Sequence, residues 1–166
     1  MSGRNRHKNR NINIFLNGLE FLIIAGFIVF IIIMMTENNT KDIPIEQIQA
    51  ALEQEESVQA LSLKDRDAVV KIWGREPSEY IYYKVDEIMD VQELFIVKAA
   101  DEEELSWVRE AVAEELEKQI NNFTGYGTDQ LELLQKAVTK EKGNYYFYAV
   151  GEDAARWEEI FLGLIR

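Results

Sequence analysis

The sequence of 166 residues contains no cysteine, only two prolines and a single histidine, His7. Without cysteine the chain can form no disulfide, thiolate ligand or thiol nucleophile, and it cannot carry the lipid of a bacterial lipoprotein. Because His7 lies in the N-terminal tail, the rest of the chain has no histidine to act as general base, triad member or zinc ligand. These absences exclude most familiar hydrolase mechanisms.

The remaining routes to catalysis have little support. A Ser–Lys pair, or two carboxylates acting on a glycoside, stays open. The segment 125–127 (Gly-Tyr-Gly) lacks the further glycine and lysine of a phosphate-binding loop, and the carboxylates at 65–67 and 86–87 lack the spacing of a calcium loop. We therefore predict no catalytic set, no cofactor and no metal.

Charge is divided sharply along the chain. The basic residues Arg4, Arg6, Lys8 and Arg10 precede a long apolar segment, whereas residues 37–166 contain 29 acidic and 14 basic residues, a net charge of −15. Such a surface is repelled by nucleic acid and by anionic lipid headgroups. Neither is an expected partner of this part of the chain.

The apolar segment runs from Ile14 to Met35 and contains one ionisable residue, Glu20. As a helix its 22 residues would be about 33 Å long, enough for a bilayer core of about 30 Å. A cleaved signal peptide is the alternative, but residues 33–38 offer no small-x-small cleavage step. The segment therefore predicts a signal-anchor helix that binds the chain to the membrane.

The positive-inside rule then gives an orientation and a domain plan. The basic tail, residues 1–13, is expected in the cytoplasm, the transmembrane helix at 14–36, a tether at 37–43 and an extracytoplasmic domain at 44–166. The predicted localisation is the cell membrane, with a single pass. About 120 residues are enough for one hydrophobic core and too few for two.

Apolar residues recur at steps of three and four in five segments of the outer domain, which predicts five amphipathic helices. Pro44 is the predicted first residue of the first helix, Ser62, Asp101 and Thr128 are the predicted N-caps of the next three, and the last helix begins at about Asp153. The clearest stripe is Leu105, Val108, Val112, Leu116 and Ile120.

Four runs of β-favouring residues predict strands, at 80–85, 94–97, 138–142 and 145–150. The run at 94–97 is apolar on both faces, as in a central strand, and Gly143-Asn144 is typical of a hairpin turn. The order ααββααββα predicts an α+β fold, with a small antiparallel or mixed sheet packed with helices.

Six of the seven tyrosines fall in two of the strand runs. Because side chains alternate along a strand, some of them share one sheet face, and tyrosine often forms binding surfaces. The alternative is that tyrosine simply favours strands and fills cross-strand pairs. The candidate interaction surface is Tyr80, Tyr82, Tyr146 and Tyr148.

Three stretches of the chain carry a family resemblance: Glu93 to Ala99 before an acidic helix start, Gln119 to Phe123 with Tyr126, and Gly143 to Tyr146. They resemble a Firmicutes family of lipoproteins and single-pass membrane proteins, domain of unknown function 4358. The resemblance implies an extracytoplasmic α+β domain and transfers no catalytic residue. This chain departs from the lipoprotein members in having no cysteine.

Two classes of function follow. The favoured one is a membrane-anchored, non-catalytic binding module that acts on a protein or a cell-envelope component. The alternative is a cell-envelope enzyme that uses carboxylate or Ser–Lys chemistry. A cleft with converging polar groups would favour the enzyme, and a shallow aromatic surface would favour the binding module.

Overall fold

The computed structural model describes residues 23–28 and 40–166. The chain divides into two units, Met1–Asn39 and Thr40–Arg166. In the first, residues 23–28 are helical and their side chains are exposed. All the elements described below belong to the second unit.

Six helices and five strands make up the Thr40–Arg166 unit. The helices are α1 (Ile45–Leu52), α2 (Glu56–Gln59), α3 (Arg66–Trp73), α4 (Glu102–Phe123), α5 (Thr128–Gln135) and α6 (Ala154–Ile165). The strands are β1 (Ser62–Leu63), β2 (Glu79–Lys84), β3 (Glu93–Lys98), β4 (Val138–Lys142) and β5 (Tyr145–Val150).

The strands form one antiparallel sheet in the order β1-β2-β3-β5-β4. The central strand β3 pairs along its whole length with β2 on one side and with β5 on the other. The β4–β5 hairpin turns at Gly143, whose φ of 60° lies in the left-handed region that favours glycine. The four predicted strands and this hairpin are confirmed.

Both faces of the sheet are covered, because β3 and β5 carry buried side chains at almost every position. One face contacts α1, α2 and α6 through a core that includes Ile48, Ile96 and Trp157. The other face lies under α3, α4 and α5, with a core that includes Trp73, Phe95 and Val108. The unit is therefore a sheet between two helical layers.

Side-chain caps fix where two of the helices begin. Asp65 accepts a hydrogen bond from the Ala68 backbone N–H at 2.9 Å, and Asp101 accepts one from Glu104 at 2.8 Å. Helix α3 ends at Gly74, which has a φ of 85°. The predicted cap at Asp101 is confirmed, whereas the predicted caps at Ser62 and Thr128 are wrong, since Gly127 precedes the first residue of α5.

Ser62 lies instead in β1, and α3 starts three residues later than predicted, with Asp65 as its N-cap. The short elements α2 and β1 were absent from the predicted order. Elements of four and two residues are too short to show a hydrophobic period, so their positions depend on tertiary contacts. The observed order is ααβαββααββα.

The predicted transmembrane helix is corrected by the structure. No helix within residues 23–28 and 40–166 is both long enough and apolar enough to cross a membrane. Helix α4 has the length, with 22 residues, but it carries charged side chains along its whole course. The remainder of the predicted span 14–36, and the predicted tail 1–13, lie outside the described residues.

The described end of the predicted tether, residues 40–43, is part of the folded unit. The Lys41 N–H donates to the Ile165 carbonyl at 3.0 Å. The Ile43 N–H donates to the Tyr145 hydroxyl at 2.7 Å, and that hydroxyl donates to the Ile43 carbonyl at 2.6 Å. Residues 37–39 lie outside the described residues.

A matched pair of isoleucine variants tests this core assignment. Ile48 is fully buried, so Ile48→Ala should lower the free energy of unfolding by about 2–5 kcal/mol. Ile88 is 94% exposed, so Ile88→Ala should change it by less than about 0.5 kcal/mol. Denaturant unfolding of the full chain measures both values. Losses of equal size would contradict the assignment.

Candidate functional site

The four tyrosines of the candidate surface do share one face of the sheet. Tyr80 and Tyr146 flank Val97 on β3, and Tyr82 and Tyr148 flank Phe95. This face lies under α3, α4 and α5, so Tyr82 and Tyr148 are fully buried and Tyr146 is 6% exposed. Only Tyr80 is half-buried.

Aromatic packing explains the burial of the two central tyrosines. The Trp73 ring stacks on the Phe95 ring, with centroids 4.6 Å apart, and meets Tyr82 and Tyr148 edge-on at 5.5 and 6.0 Å. Tyr82 and Tyr148 thus belong to the core and present no surface to a partner. Their hydroxyl groups have another use.

Both hydroxyl groups bind Glu93, a carboxylate with no exposed surface. Tyr82 donates to Oε2 at 2.7 Å, and Tyr148 donates to Oε1 at 3.0 Å. Gln119 donates to Oε1 at 2.8 Å, and the Lys84 ammonium pairs with Oε2 at 2.8 Å. We call these five residues the Glu93 site.

The sheet and helix α4 bring the Glu93 site together. Lys84 lies directly opposite Glu93 on β2, and Gln119 reaches down from α4. A buried carboxylate costs several kcal/mol unless a countercharge and hydrogen bonds compensate it. Four donors supply that compensation here.

Burial raises the pKa of both Tyr82 and Tyr148 far above the ordinary value, and the neighbouring Glu93 charge acts in the same direction. The two hydroxyl groups therefore stay protonated over the physiological range. They act as donors to the carboxylate and not as bases.

A recess of about 250 Å³ opens over the Glu93 site. Its polar lining includes Lys84, Gln119 and Glu115 together with the carboxylates of the loop between β2 and β3, and Ile88 and Phe123 contribute apolar walls. Glu115 also pairs with Lys118 at 2.8 Å.

Exposed apolar side chains stand beside this recess. Ile88 is 94% exposed and Met89 is 59% exposed, both in the turn between β2 and β3. Tyr126 is 67% exposed, and its ring centroid lies 5.9 Å from that of Phe123. We call Ile88, Met89, Phe123 and Tyr126 the apolar patch. Sequence reasoning missed the patch, although the pair Ile-Met between carboxylates in a turn was a visible signal.

The loop that carries Ile88 and Met89 is held at several points. The Val85 N–H donates to the Gln92 carbonyl at 3.1 Å, and the Asp90 N–H donates to the Glu87 carbonyl at 3.2 Å. The Val91 N–H donates to the Gln130 side chain at 3.2 Å, which ties the loop to α5. The loop is thus positioned by its own backbone and by a neighbouring helix.

Few side chains near the apolar patch could serve the two catalytic alternatives, a Ser–Lys pair and a pair of carboxylates. Ser62 and Lys64 both donate to Asp86, and this contact with Lys64 lowers the pKa of the Asp86 carboxyl. An ammonium group held by a carboxylate is not available as a base. Within residues 23–28 and 40–166, no group of three or more His, Cys, Asp or Glu side chains is placed to hold a metal ion.

A larger open groove, of about 710 Å³, lies beside the start of α6. Its lining is mostly polar and includes the ion pair between Glu132 and Lys136. None of the large exposed apolar side chains of the described residues borders it. The recess beside the apolar patch is therefore the stronger candidate for a binding site.

Comparison with known proteins gives one match. The family described as a domain of unknown function (DUF4358) matches residues 75–151, which include β2 to β5 and the helices α4 and α5. The matched stretch contains the whole Glu93 site and the apolar patch. No curated protein and no solved structure matches the chain.

Removal of the Glu93 carboxylate should be costly, because it leaves the partly buried Lys84 ammonium group and three further donors without their acceptor. We expect Glu93→Ala to lower the free energy of unfolding by about 3–5 kcal/mol. The double variant Lys84→Met, Glu93→Leu should recover most of this loss, since it removes the charge as well. Glu132→Ala, in an exposed ion pair, is the control and should leave the urea midpoint of the full chain unchanged. Equal losses for the two single variants would contradict the described compensation.

Stability should fall at alkaline pH because of the buried tyrosines. Their pKa values are raised in the folded chain, so their contribution is complete below the unfolded value of about 10 and is lost as the pH rises above it. Urea midpoints between pH 8 and 11 should therefore fall, and Tyr148→Phe should make the fall shallower. Tyr126→Phe, which removes an exposed hydroxyl group, should keep the parent slope. A parent-like slope in Tyr148→Phe would count against the assignment.

Proposed function

We propose that the Thr40–Arg166 unit is a non-catalytic binding module that holds a protein partner against the apolar patch. The observation that carries the proposal is the exposure of Ile88 and Met89 at the tip of a turn. Turn tips are normally polar, and an exposed apolar cluster on a folded protein is typical of an interaction site.

The support of the loop strengthens this proposal. Asp86 at one end is bonded to Ser62 and Lys64, and Val91 at the other end is bonded to Gln130. A surface that is already positioned loses less conformational entropy when a partner binds. The stability of the core does not require Ile88, because its side chain is almost fully exposed.

The enzymatic alternative has weaker support. Glu93 accepts four hydrogen bonds and has no exposed surface, so it cannot reach a substrate in this arrangement. Lys84 and Lys64 are each paired with a carboxylate. These contacts leave the two lysines without the basic lone pair that Ser–Lys chemistry needs.

The setting of this binding is proposed from the family resemblance and from the acidic composition. The resemblance implies an extracytoplasmic domain, so we propose a partner in the cell envelope outside the cytoplasm. The charge of −15 over residues 37–166 argues against nucleic acid as the partner.

Photo-crosslinking in intact cells tests the proposed function. The full chain with p-benzoylphenylalanine at position 88 should form a discrete crosslinked product, because the side chain lies within the interface. The same residue placed at Glu110, exposed on α4, is the matched control and should form none. The change Met89→Ser with Tyr126→Ser should abolish the product while leaving the unfolding midpoint unchanged.

Two outcomes would contradict the proposal. The absence of a product at position 88, or the same products at both positions, would show that the apolar patch has no specific partner. A partner that resides in the cytoplasm would contradict the proposed extracytoplasmic setting alone.

A further inference from the structure

We infer that the partner contacts the apolar patch with a basic segment, in which an apolar side chain is flanked by lysine or arginine. This inference rests on the proposed function and names the chemistry of its partner. Its starting point is the charge that surrounds the patch.

Carboxylates dominate the surroundings of the patch. Asp86, Glu87 and Asp90 lie in the same loop as Ile88 and Met89, and Glu115 lines the recess from α4. Lys84 is the one basic side chain in the lining, and Glu93 neutralises it. A segment that covers Ile88 therefore approaches acidic groups.

Nearby lysines reduce this negative charge only in part. Lys64 pairs with Asp86, whose side chain is 73% exposed, and Lys118 pairs with Glu115, whose side chain is 14% exposed. The exposed Asp86 carboxylate can accept a second cation, because a partly exposed ion pair is weak. Glu87 is exposed and adds to the attraction.

The charge of the whole unit acts in the same direction. Residues 37–166 carry a net charge of −15, which accelerates the approach of cations and slows the approach of anions. The same argument disfavours a second copy of this chain, because a symmetric contact through the patch would place these carboxylates against one another. It also disfavours an anionic lipid surface.

The apolar patch and the carboxylates have separate roles in this scheme. Burial of Ile88 and Met89 supplies most of the affinity, since it removes apolar area from water. The carboxylates select partners by charge and increase the association rate, which makes the interaction sensitive to salt.

Methyl NMR of the full chain tests the inference directly. The chain contains four methionines, and the ¹³C-methyl signal of Met89 is identified by its loss in Met89→Leu. The probes are three short peptides of equal length. The first alternates lysine and leucine, the second has glutamate in place of lysine, and the third has serine in place of leucine.

We expect the Met89 signal to shift and saturate with the lysine–leucine peptide. The glutamate and serine versions should each bind at least about tenfold more weakly, because each lacks one of the two complementary features. An increase of the salt concentration from about 0.05 to 0.5 M should weaken the binding of the lysine–leucine peptide by several-fold. Equal binding of the glutamate peptide would overturn the inference.

Matched charge variants test whether the carboxylates beside the recess cause the preference for the basic peptide. The double variant Glu87→Gln, Glu115→Gln should weaken the binding of the lysine–leucine peptide by about fivefold, because both carboxylates border the recess. Glu110→Gln with Glu114→Gln removes the same charge from exposed positions elsewhere on α4 and should change binding by less than about twofold. Equal effects of the two double variants would show a general attraction to an acidic protein and would overturn the inference.

Further measurements distinguish the basic segment from other possible occupants of the apolar patch. They also distinguish this inference from the proposed function. A Met89 shift with neutral phosphatidylcholine vesicles, or a dimer that Ile88→Ser abolishes in sedimentation, would overturn the basic segment as occupant. A specific crosslink at position 88 together with equal binding of the acidic and basic peptides would leave the proposed function intact and reject this inference. Selective binding of the basic peptide without a crosslinked protein would reject the proposed function alone.

Discussion

The rest of the structure depends on a charged carboxylate that is fully enclosed between a sheet and a helix. Glu93 is compatible with its surroundings only while Lys84 lies opposite it and Tyr82, Tyr148 and Gln119 point toward it. A slip of one residue in the pairing of β2 with β3 would move Lys84 to the other face and leave the charge unpaired. The Glu93 site therefore specifies the register of the central strands.

The same contacts connect the core to the surface. Lys84 is the last residue of β2 and Glu93 is the first residue of β3, so their pairing closes the base of the loop between the two strands. Gln119 brings α4 to the same point, and α4 ends at Phe123 in the apolar patch. The pairing of Lys84 with the buried Glu93 thus determines the position of the loop that carries Ile88 and Met89.

Local pattern allowed the strands, the hairpin and the long helix to be predicted, because each has a period or a turn signal within a few residues. Alternation also placed Tyr82 and Tyr148 on one face, but exposure depends on which helices cover that face, and no local signal gives this. The Glu93 site could not be predicted, since its partners are 9, 11, 26 and 55 residues away in sequence. The length and apolar composition of residues 14–35 predicted the transmembrane helix, whereas no helix of the described residues is both long enough and apolar enough to cross a membrane.

Residues 40–43 lie at one end of the sheet, opposite to the end that contains the Glu93 site. Asp42 pairs with Lys98 at 2.7 Å and Lys41 bonds to Ile165, so the two ends of the unit meet at the far end of β3 from Glu93. The length of β3 separates these ends from the base of the patch-bearing loop by about 17 Å. A fluorescent protein or an affinity tag joined to Arg166 would therefore be attached at the pole opposite the patch. The neighbouring ends also make the unit suited to insertion as a cassette into a loop of another protein.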